Sequence, residues 1–284
     1  MDNSLSAQQK LPITIIGAGP VGTALALALK QKKYPLRLVL SKRGKSANVL
    51  GRRLRAPHGR LQSEEFEGVD GIVFITVPDD EIENVVRILS RRFGDFSRSI
   101  VFHTSGALPS GGLSRLKQKG ASVGSFHPLQ TFPKSGNTSG RLKNIWIGIE
   151  GDHKAVKTAQ RVVRDLGARA ILLSAGQKTL YHVAAVFASN YFITLLSVIE
   201  ELGARIRVPR KKILAMLEPL ILQSLMNVKI SSAAAALTGP IARGDFGTVR
   251  NHRRELSRRG LEHISQLYGA LAKETSRVVS RKAM

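Results

Sequence analysis

The chain contains no cysteine, which excludes disulfides, Cys-ligated zinc and thiol chemistry and fits a cytoplasmic protein. Aromatic residues are only 5% and stand apart from the basic runs, which argues against a base-stacking platform for nucleic acid. Acidic residues are scarce: 20 Asp and Glu face 44 Lys and Arg, the formal net charge is +24, and no acid occurs between Asn3 and Ser63. The basic clusters at 41–60, 205–212 and 250–260 suit phosphates, a nucleic acid or an anionic membrane surface; with so few aromatics, small anionic ligands are the preferred reading. Long hydrophobic runs are missing as well. The longest, Val183 to Ile199, is interrupted by Ser189, Asn190, Thr194 and Ser197 and falls short of the roughly 20 residues of a membrane span, so it reads as a core or subunit-interface helix. The first ten residues lack the basic and apolar regions of a secretory signal. A cytoplasmic location is therefore expected, and both the Asn137-Thr138-Ser139 glycosylation pattern and the Arg243-Gly244-Asp245 tripeptide read as coincidences.

What is present is a chain of 284 residues, 43% of them hydrophobic, long enough for about two domains. The segment LPITIIGAGPVGTALALALKQKKYPLRLVL reads as a β-branched strand, a glycine turn, an alanine-rich helix and a second strand. Gly17-x-Gly19-x-x-Gly22 falls where a Rossmann strand meets its helix. Gly17 permits the tight turn, Gly19 lets a pyrophosphate approach the backbone, and Gly22 lets the helix pack on the strand. Pro20 and Val21 open the helix whose N-terminus faces the phosphates. An NAD-binding version would carry an acid at the end of the second strand for the ribose hydroxyls. Here that end reads Ser41-Lys42-Arg43, which would attract the 2′-phosphate of NADP. Gly44-Lys45-Ser46 is not a P-loop, because the required first glycine would fall at Val39.

Further along, an apolar strand at 71–77 is followed by Pro78 and by Asp79 or Asp80 as a helix N-cap, which puts Val77, Pro78 and Asp79 at the nicotinamide-side turn. Strands are expected at 99–106, 120–128, 144–151 and 168–174, with helices near 108–119 and 152–166. This alternation predicts a doubly wound, mostly parallel sheet. Ligands of such sheets lie beyond the carboxyl ends of the strands, where His103, Ser105 and His127 fall.

After Gly176 helices dominate, at about 177–203, 210–228, 231–237, 246–258 and 261–280, so the division expected is 1–174 for an α/β domain and 175–284 for an all-helical one. On the first helix, Lys178 and His182 are i, i+4, and Ser189 returns within roughly 20° of His182, with Asn190 at the margin of that polar stripe. The stripe is either satisfied structurally or lines a pocket. Metal binding by His103, His127 and His182 is disfavoured, since three separate segments supply them without helical His-x-x-x-His spacing. Thr238 and Arg243 are candidates for a substrate carboxylate, and Asp245 for a helix cap.

Together, IIGAGPVG, VPDDEI, FHTSGAL, GSFHPLQTF, KTLYHVAAVFASN and ALTGPIARGD resemble a family of Rossmann-like oxidoreductases whose C-terminal half is a conserved domain of unknown function. The likeness runs over nearly the whole chain. A looser kinship extends to pyrroline-5-carboxylate reductase, ketopantoate reductase, prephenate dehydrogenase and the β-hydroxyacid dehydrogenases. The resemblance implies an N-terminal NADP domain and a helical, dimerising C-terminal one. In β-hydroxyacid dehydrogenases the corresponding helix carries a catalytic lysine followed one turn later by an amide; Lys178 matches the lysine, and His182 stands at the amide's place. The proton donor is thus Lys178 or His182, with His103, Ser105 and His127 positioning or polarising the substrate. The expected activity is NADP(H)-dependent hydride transfer to a small anionic keto or imino compound by a homodimer. A non-enzymatic NADP sensor or polyanion binder on the same fold is the alternative.

Overall fold

β-Branched residues and leucine recur in short apolar runs separated by glycine, proline and charged turns, and these runs form the sheet. The computed structural model describes residues 10–66, 68–133 and 140–280; residues 1–9 and the Asn137-Thr138-Ser139 tripeptide lie outside them. The first half alternates β1 (Ile13–Ile16), α1 (Pro20–Gln31), β2 (Leu36–Ser41), α2 (Lys45–Leu54), β3 (His58–Arg60), β4 (Gly71–Ile75), α3 (Asp79–Arg92), β5 (Ser99–His103), a 3-10 turn (Ser110–Leu113) and α4 (Ser114–Lys117). β6 (Ser122–Pro128), β7 (Trp146–Gly151), α5 (His153–Leu166) and β8 (Arg169–Leu172) complete it. The strands form one sheet of eight in the order β3-β2-β1-β4-β5-β6-β7-β8. Every pairing is parallel except β6 with β7, so the fold is the doubly wound, mostly parallel Rossmann-type sheet.

The order reverses between β1 and β4, creating the crevice in which such sheets hold ligands. Both faces are covered at the centre of the sheet, where β1, β4 and β5 are buried at every position, while the edge strands β3 and β8 are partly exposed. One core cluster packs α1, α2 and α5 on one face, and a second packs α3 and α4 on the other. Phe74, Phe102 and Phe126, on three adjacent strands, form a ring cluster with centroids 5.2–5.9 Å apart.

Helix α3 starts one residue earlier than its acids suggested. Pro78, with extended backbone, stands at the N-cap, and Asp79, Asp80 and Glu81 occupy the first turn. An acid there still favours the helix, through the dipole rather than as a cap.

The chain divides into two compact units, up to Ser189 and from Asn190. Strands end earlier, at β8, so the change in secondary structure near 174 and the change in contact density describe different things. After a 3-10 turn (Ala175–Gln177) with a Ser174/Gln177 capping box come α6 (Lys178–Val186) and a π turn (Phe187–Tyr191). The second unit contains α7 (Phe192–Arg205), α8 (Arg210–Ile230), α9 (Ala233–Ala236), α10 (Phe246–Arg258) and α11 (Glu262–Ser280). The helical C-terminal region expected from the sequence is present, and Asp245 caps α10 by accepting from Thr248 N at 3.0 Å.

The segment 178–199 is not a core helix. Lys178 is its buried residue among exposed apolar neighbours such as Leu180 (75% exposed) and Phe187 (64%). Ala175–Arg205 and Arg210–Ile230 are each long and apolar enough to cross a membrane by length and composition alone; the helical stretch outruns the apolar run counted from the sequence.

Candidate active site

The crevice begins at the end of β1. Gly17 has φ +107°, and a Cβ there would meet the Thr76 carbonyl at 2.8 Å; one on Gly22 would overlap the Gly17 carbonyl at 2.0 Å. These glycines are needed for turn geometry and close helix–strand packing. Thr76 ties the turn down by donating to the Gly17 carbonyl. Around Gly19 none of the described residues comes within 4 Å of the Cβ position, so the backbone there is open to an approaching group. Helix α1 follows with Pro20 at its first position, no side-chain cap and no acid in its first turn. Its N-terminal N–H groups therefore face an open space that suits an anion, and Val21 sits half-buried at that end.

From there a groove of about 700 Å³ runs along the end of β2, lined by Ser41, Lys42, Arg43, Lys45, Ser46 and Arg53 among others. Ser41 is buried, and its hydroxyl accepts from Ala47 N at 3.3 Å; Lys42 pairs with Glu81 at 2.5 Å. Arg43, Lys45 and Arg53 are exposed, the last two carried by α2, a helix not anticipated from the sequence although its basic cluster was. A smaller cavity of about 240 Å³ adjoins Gly17, Ser41, Val77 and Pro78. The residues fit a dinucleotide: a bare glycine backbone and helix N-terminus for a pyrophosphate, and a basic groove where a 2′-phosphate would lie.

At the ends of β5 and β6 the polar residues meet. His103 pairs in register with Ser125, and both are fully buried. His103 Nε2 donates to the Pro109 carbonyl at 3.1 Å, and its Nδ1 accepts from Ser105 N at 3.2 Å. With both ring nitrogens engaged, His103 offers nothing to a substrate or a metal, and burial, reinforced by Lys178, pushes its pKa down to about 4. Ser105 is similarly saturated: its hydroxyl donates to Asp79 Oδ2 at 2.7 Å and accepts from Ala107 N and Leu108 N at 3.2 and 3.0 Å. A hydroxyl has one proton and two lone pairs, so this one is spent closing the turn after β5 and tethering it to α3.

Lys178 reaches under this turn from the start of α6. Its Nζ donates to the Ser105 carbonyl at 2.9 Å and to the Ser125 hydroxyl, and the residue is 0% exposed. It forms no ion pair among the described residues, so burial pulls its pKa down to about 8 against the opposing pull of Glu150 and Asp79. Glu150, itself buried, accepts from Ser110 N and Oγ, each at 2.7 Å.

His127, two residues beyond Ser125 and on the same face of β6, points at α6. Its Nδ1 lies 3.1 Å from the Tyr181 hydroxyl, and its ring meets Tyr181 and His182 edge-on, with centroids 5.5 and 5.8 Å away. Burial lowers its pKa to about 4, with Lys178, His182 and His103 adding to the effect. Among the described residues His182 Nδ1 is buried without a hydrogen-bond partner. Both rings crowd Gly106, where a Cβ would come within 2.4 Å of His182 Nδ1 and 2.8 Å of His127 Nε2.

His103, Ser105, His127, Lys178 and His182 are thus brought together, with Ser125, Glu150 and Tyr181 added. Ser125 was detectable as the i−2 neighbour of His127 on one strand face; Tyr181 and Glu150 carried no local signal. The helical stripe does not continue as expected. The π turn at Phe187–Tyr191 adds about one residue to a turn, which breaks the α-helical arithmetic linking His182 to Ser189, and Asn190 is exposed at the start of the second unit. Thr238 and Arg243 are exposed residues of that second unit. Among the described residues no group of three His, Asp or Glu side chains is placed to hold a metal ion.

A Rossmann-like domain model matches residues 1–128, and a model for a domain of unknown function, DUF2520, matches residues 145–275. Curated protein sequences give no match. Among solved structures, a Bacteroides fragilis protein named as an NADP oxidoreductase superposes with a TM-score of 0.76 at 24% identity, covering 95% of this chain and 99% of its own. Protein TM1727 from Thermotoga maritima gives 0.71 at 23%, covering 96% and 100%. A reductive aminase from Aspergillus terreus, solved with NADPH and ethyl levulinate, gives 0.68 at 13%, covering 96% and 99%. At these identities the likeness is one of fold. The chain joins a Rossmann-like domain to a DUF2520 domain, on a fold that it shares with solved oxidoreductases.

Proposed function

We propose that the protein is an NADP(H)-dependent oxidoreductase that delivers hydride to the keto or imino carbon of a small anionic compound. The observation that carries this reading is a shared edge. The open glycine turn, the basic groove and the His127/Lys178/His182 cluster all lie at the carboxyl ends of strands in one sheet, on either side of the point where strand order reverses.

NADPH would supply the hydride. The chain's own part is to hold it and to manage the charge left on the substrate heteroatom. Gly19 and the α1 N-terminus would take the pyrophosphate; Ser41, Lys42, Arg43, Lys45 and Arg53 would surround the 2′-phosphate; Val77, Pro78 and Asp79 would flank the nicotinamide end. Of the expected proton donors, Lys178 has a proton that exchanges near neutral pH, with a pKa of about 8, and a third N–H not used by Ser105 or Ser125. His182, with an unpartnered buried Nδ1, is the competing donor. The overall basic charge is what favours an anionic substrate.

The reading includes a cytoplasmic homodimer formed by the helical half. Helix α8 buries only Ile213 of its 21 residues, while Leu220, Leu222, Leu225 and Ile230 are 54–79% exposed, more apolar surface than a soluble monomer usually leaves uncovered.

Titration with both reduced cofactors tests the proposal. NADPH should bind more tightly than NADH by about one to two decades, the worth of a charge-assisted contact, and should be consumed in the presence of some member of a panel of small keto acids and imines. Equal affinities, or a preference for NADH, would remove the NADP assignment. Tight NADPH binding with no consumption across the panel would support the sensor instead.

A further inference from the structure

Tyr181 lies outside every motif that pointed to the site, yet it occupies a place built for it. His127 and Gly148 are opposed residues of the antiparallel β6–β7 pair. A Cβ on Gly148 would lie 2.9 Å from the Tyr181 oxygen and 3.0 Å from its ring carbon, so only glycine leaves room for the phenol beside His127. The Tyr181 oxygen lies 3.1 Å from His127 Nδ1. On the other side of the imidazole, Gly106 again lacks the Cβ that would strike His127 Nε2.

We infer that Tyr181 is a positioning residue that fixes His127 as the Nε2–H tautomer, so that His127 presents one oriented N–H to the heteroatom of the group being reduced. The donor and acceptor count selects this direction. The phenol has a single proton, and His127 Nδ1 is the only acceptor that its oxygen meets among the described residues. If Nδ1 instead carried the proton, the Tyr181 O–H would have no acceptor among the described residues, a costly arrangement for a half-buried group. Burial pushes the phenol up to about 12, which keeps that proton in place. The groups that bear on His127 are Lys178 and His182 on α6 and His103 on β5, and all three oppose a second proton on its ring. His127 therefore acts as a neutral hydrogen-bond donor that polarises the C=O or C=N bond. Protonation of the product is left to Lys178 or His182.

This role for the N–H rests on the oxidoreductase reading, but the tautomer does not, and nitrogen NMR of the uniformly 15N-labelled protein, without cofactor or substrate, tests it. His127→Gln assigns the ring among the seven histidines. The wild type should show His127 as Nε2–H from pH 8 down to about 5, and Tyr181→Phe should shift its tautomer ratio roughly tenfold toward Nδ1–H, the worth of one hydrogen bond, with a melting temperature lowered by only a few degrees. An Nδ1–H or doubly protonated His127 in the wild type at pH 7 would overturn the inference, and needs no variant to fold. So would a tautomer ratio that Tyr181→Phe leaves untouched. Either result would leave the cofactor titration standing, and failure of the titration would leave the tautomer standing.

Discussion

Replacing Lys178 by methionine separates the cost of its charge from the value of its contacts. The pKa falls from 10.5 to about 8 in the folded protein, which corresponds to roughly 3 kcal/mol of stability. The folded value lies below the unfolded one. Under about pH 8 the amine is therefore protonated in both states, and the native state bears the whole cost of a buried ammonium. Between pH 8 and 10.5 the unfolded chain holds a proton that the native state has released, so stability rises with pH; above 10.5 the effect is complete. Methionine removes the charge and also the hydrogen bonds to the Ser105 carbonyl and Ser125 hydroxyl, worth about 1 kcal/mol each. At pH 7 the variant should match the wild type or exceed it by about 1 kcal/mol, and at pH 10.5 it should be less stable by about 2 kcal/mol. Urea unfolding at stepped pH, followed through the fluorescence of Trp146, the chain's single tryptophan and a residue of β7 in the same unit, measures both limbs. Wild-type and Lys178→Met curves that stay parallel across this range would refute a depressed pKa, and with it the idea that Lys178 holds an exchangeable proton near neutrality.

Arg53→Ala should weaken NADPH about tenfold to a hundredfold while leaving NADH affinity nearly unchanged; an equal loss for both would place Arg53 away from the 2′-phosphate. His182→Ala should lower turnover by roughly 10²–10⁴-fold if this side chain supplies the proton, with the melting temperature nearly constant because the Nδ1 that it removes has no partner; a drop of about 1–3 kcal/mol in stability without a selective loss of turnover would make it a structural residue. Light scattering at micromolar concentration in physiological salt should find a dimer, and Leu222→Arg, at a 54% exposed position on α8, should shift it toward monomer. A wild-type monomer would refute the interface.

The sequence alone was sufficient for those parts of the molecule that short-range physics controls. β-Branched runs bounded by glycine and proline became strands, Gly17 and Gly22 became part of a tight turn that leaves no room for their side chains while Gly19 between them stays open, and Asp245 became a cap because its carboxylate reaches an N–H three residues away. Even the polar groups at strand ends were legible, since a parallel sheet sends the carboxyl ends of its strands to one edge. What each group does there was not. His103 and Ser105 looked free to meet a substrate, and their hydrogen-bonding capacity is filled by Pro109, Asp79 and the following turn. The partners of Lys178 are 73 and 53 residues away, and that of Tyr181 is 54 away. No periodicity encodes such distances. They are set only when β5, β6 and α6 pack, and the absence of side chains at Gly106 and Gly148 acquires its meaning only then. The π turn at 187–191 is of the same kind: the residues Phe187 to Tyr191 are compatible with an α-helix, and it is the folded chain that inserts the extra residue and ends the polar stripe at His182.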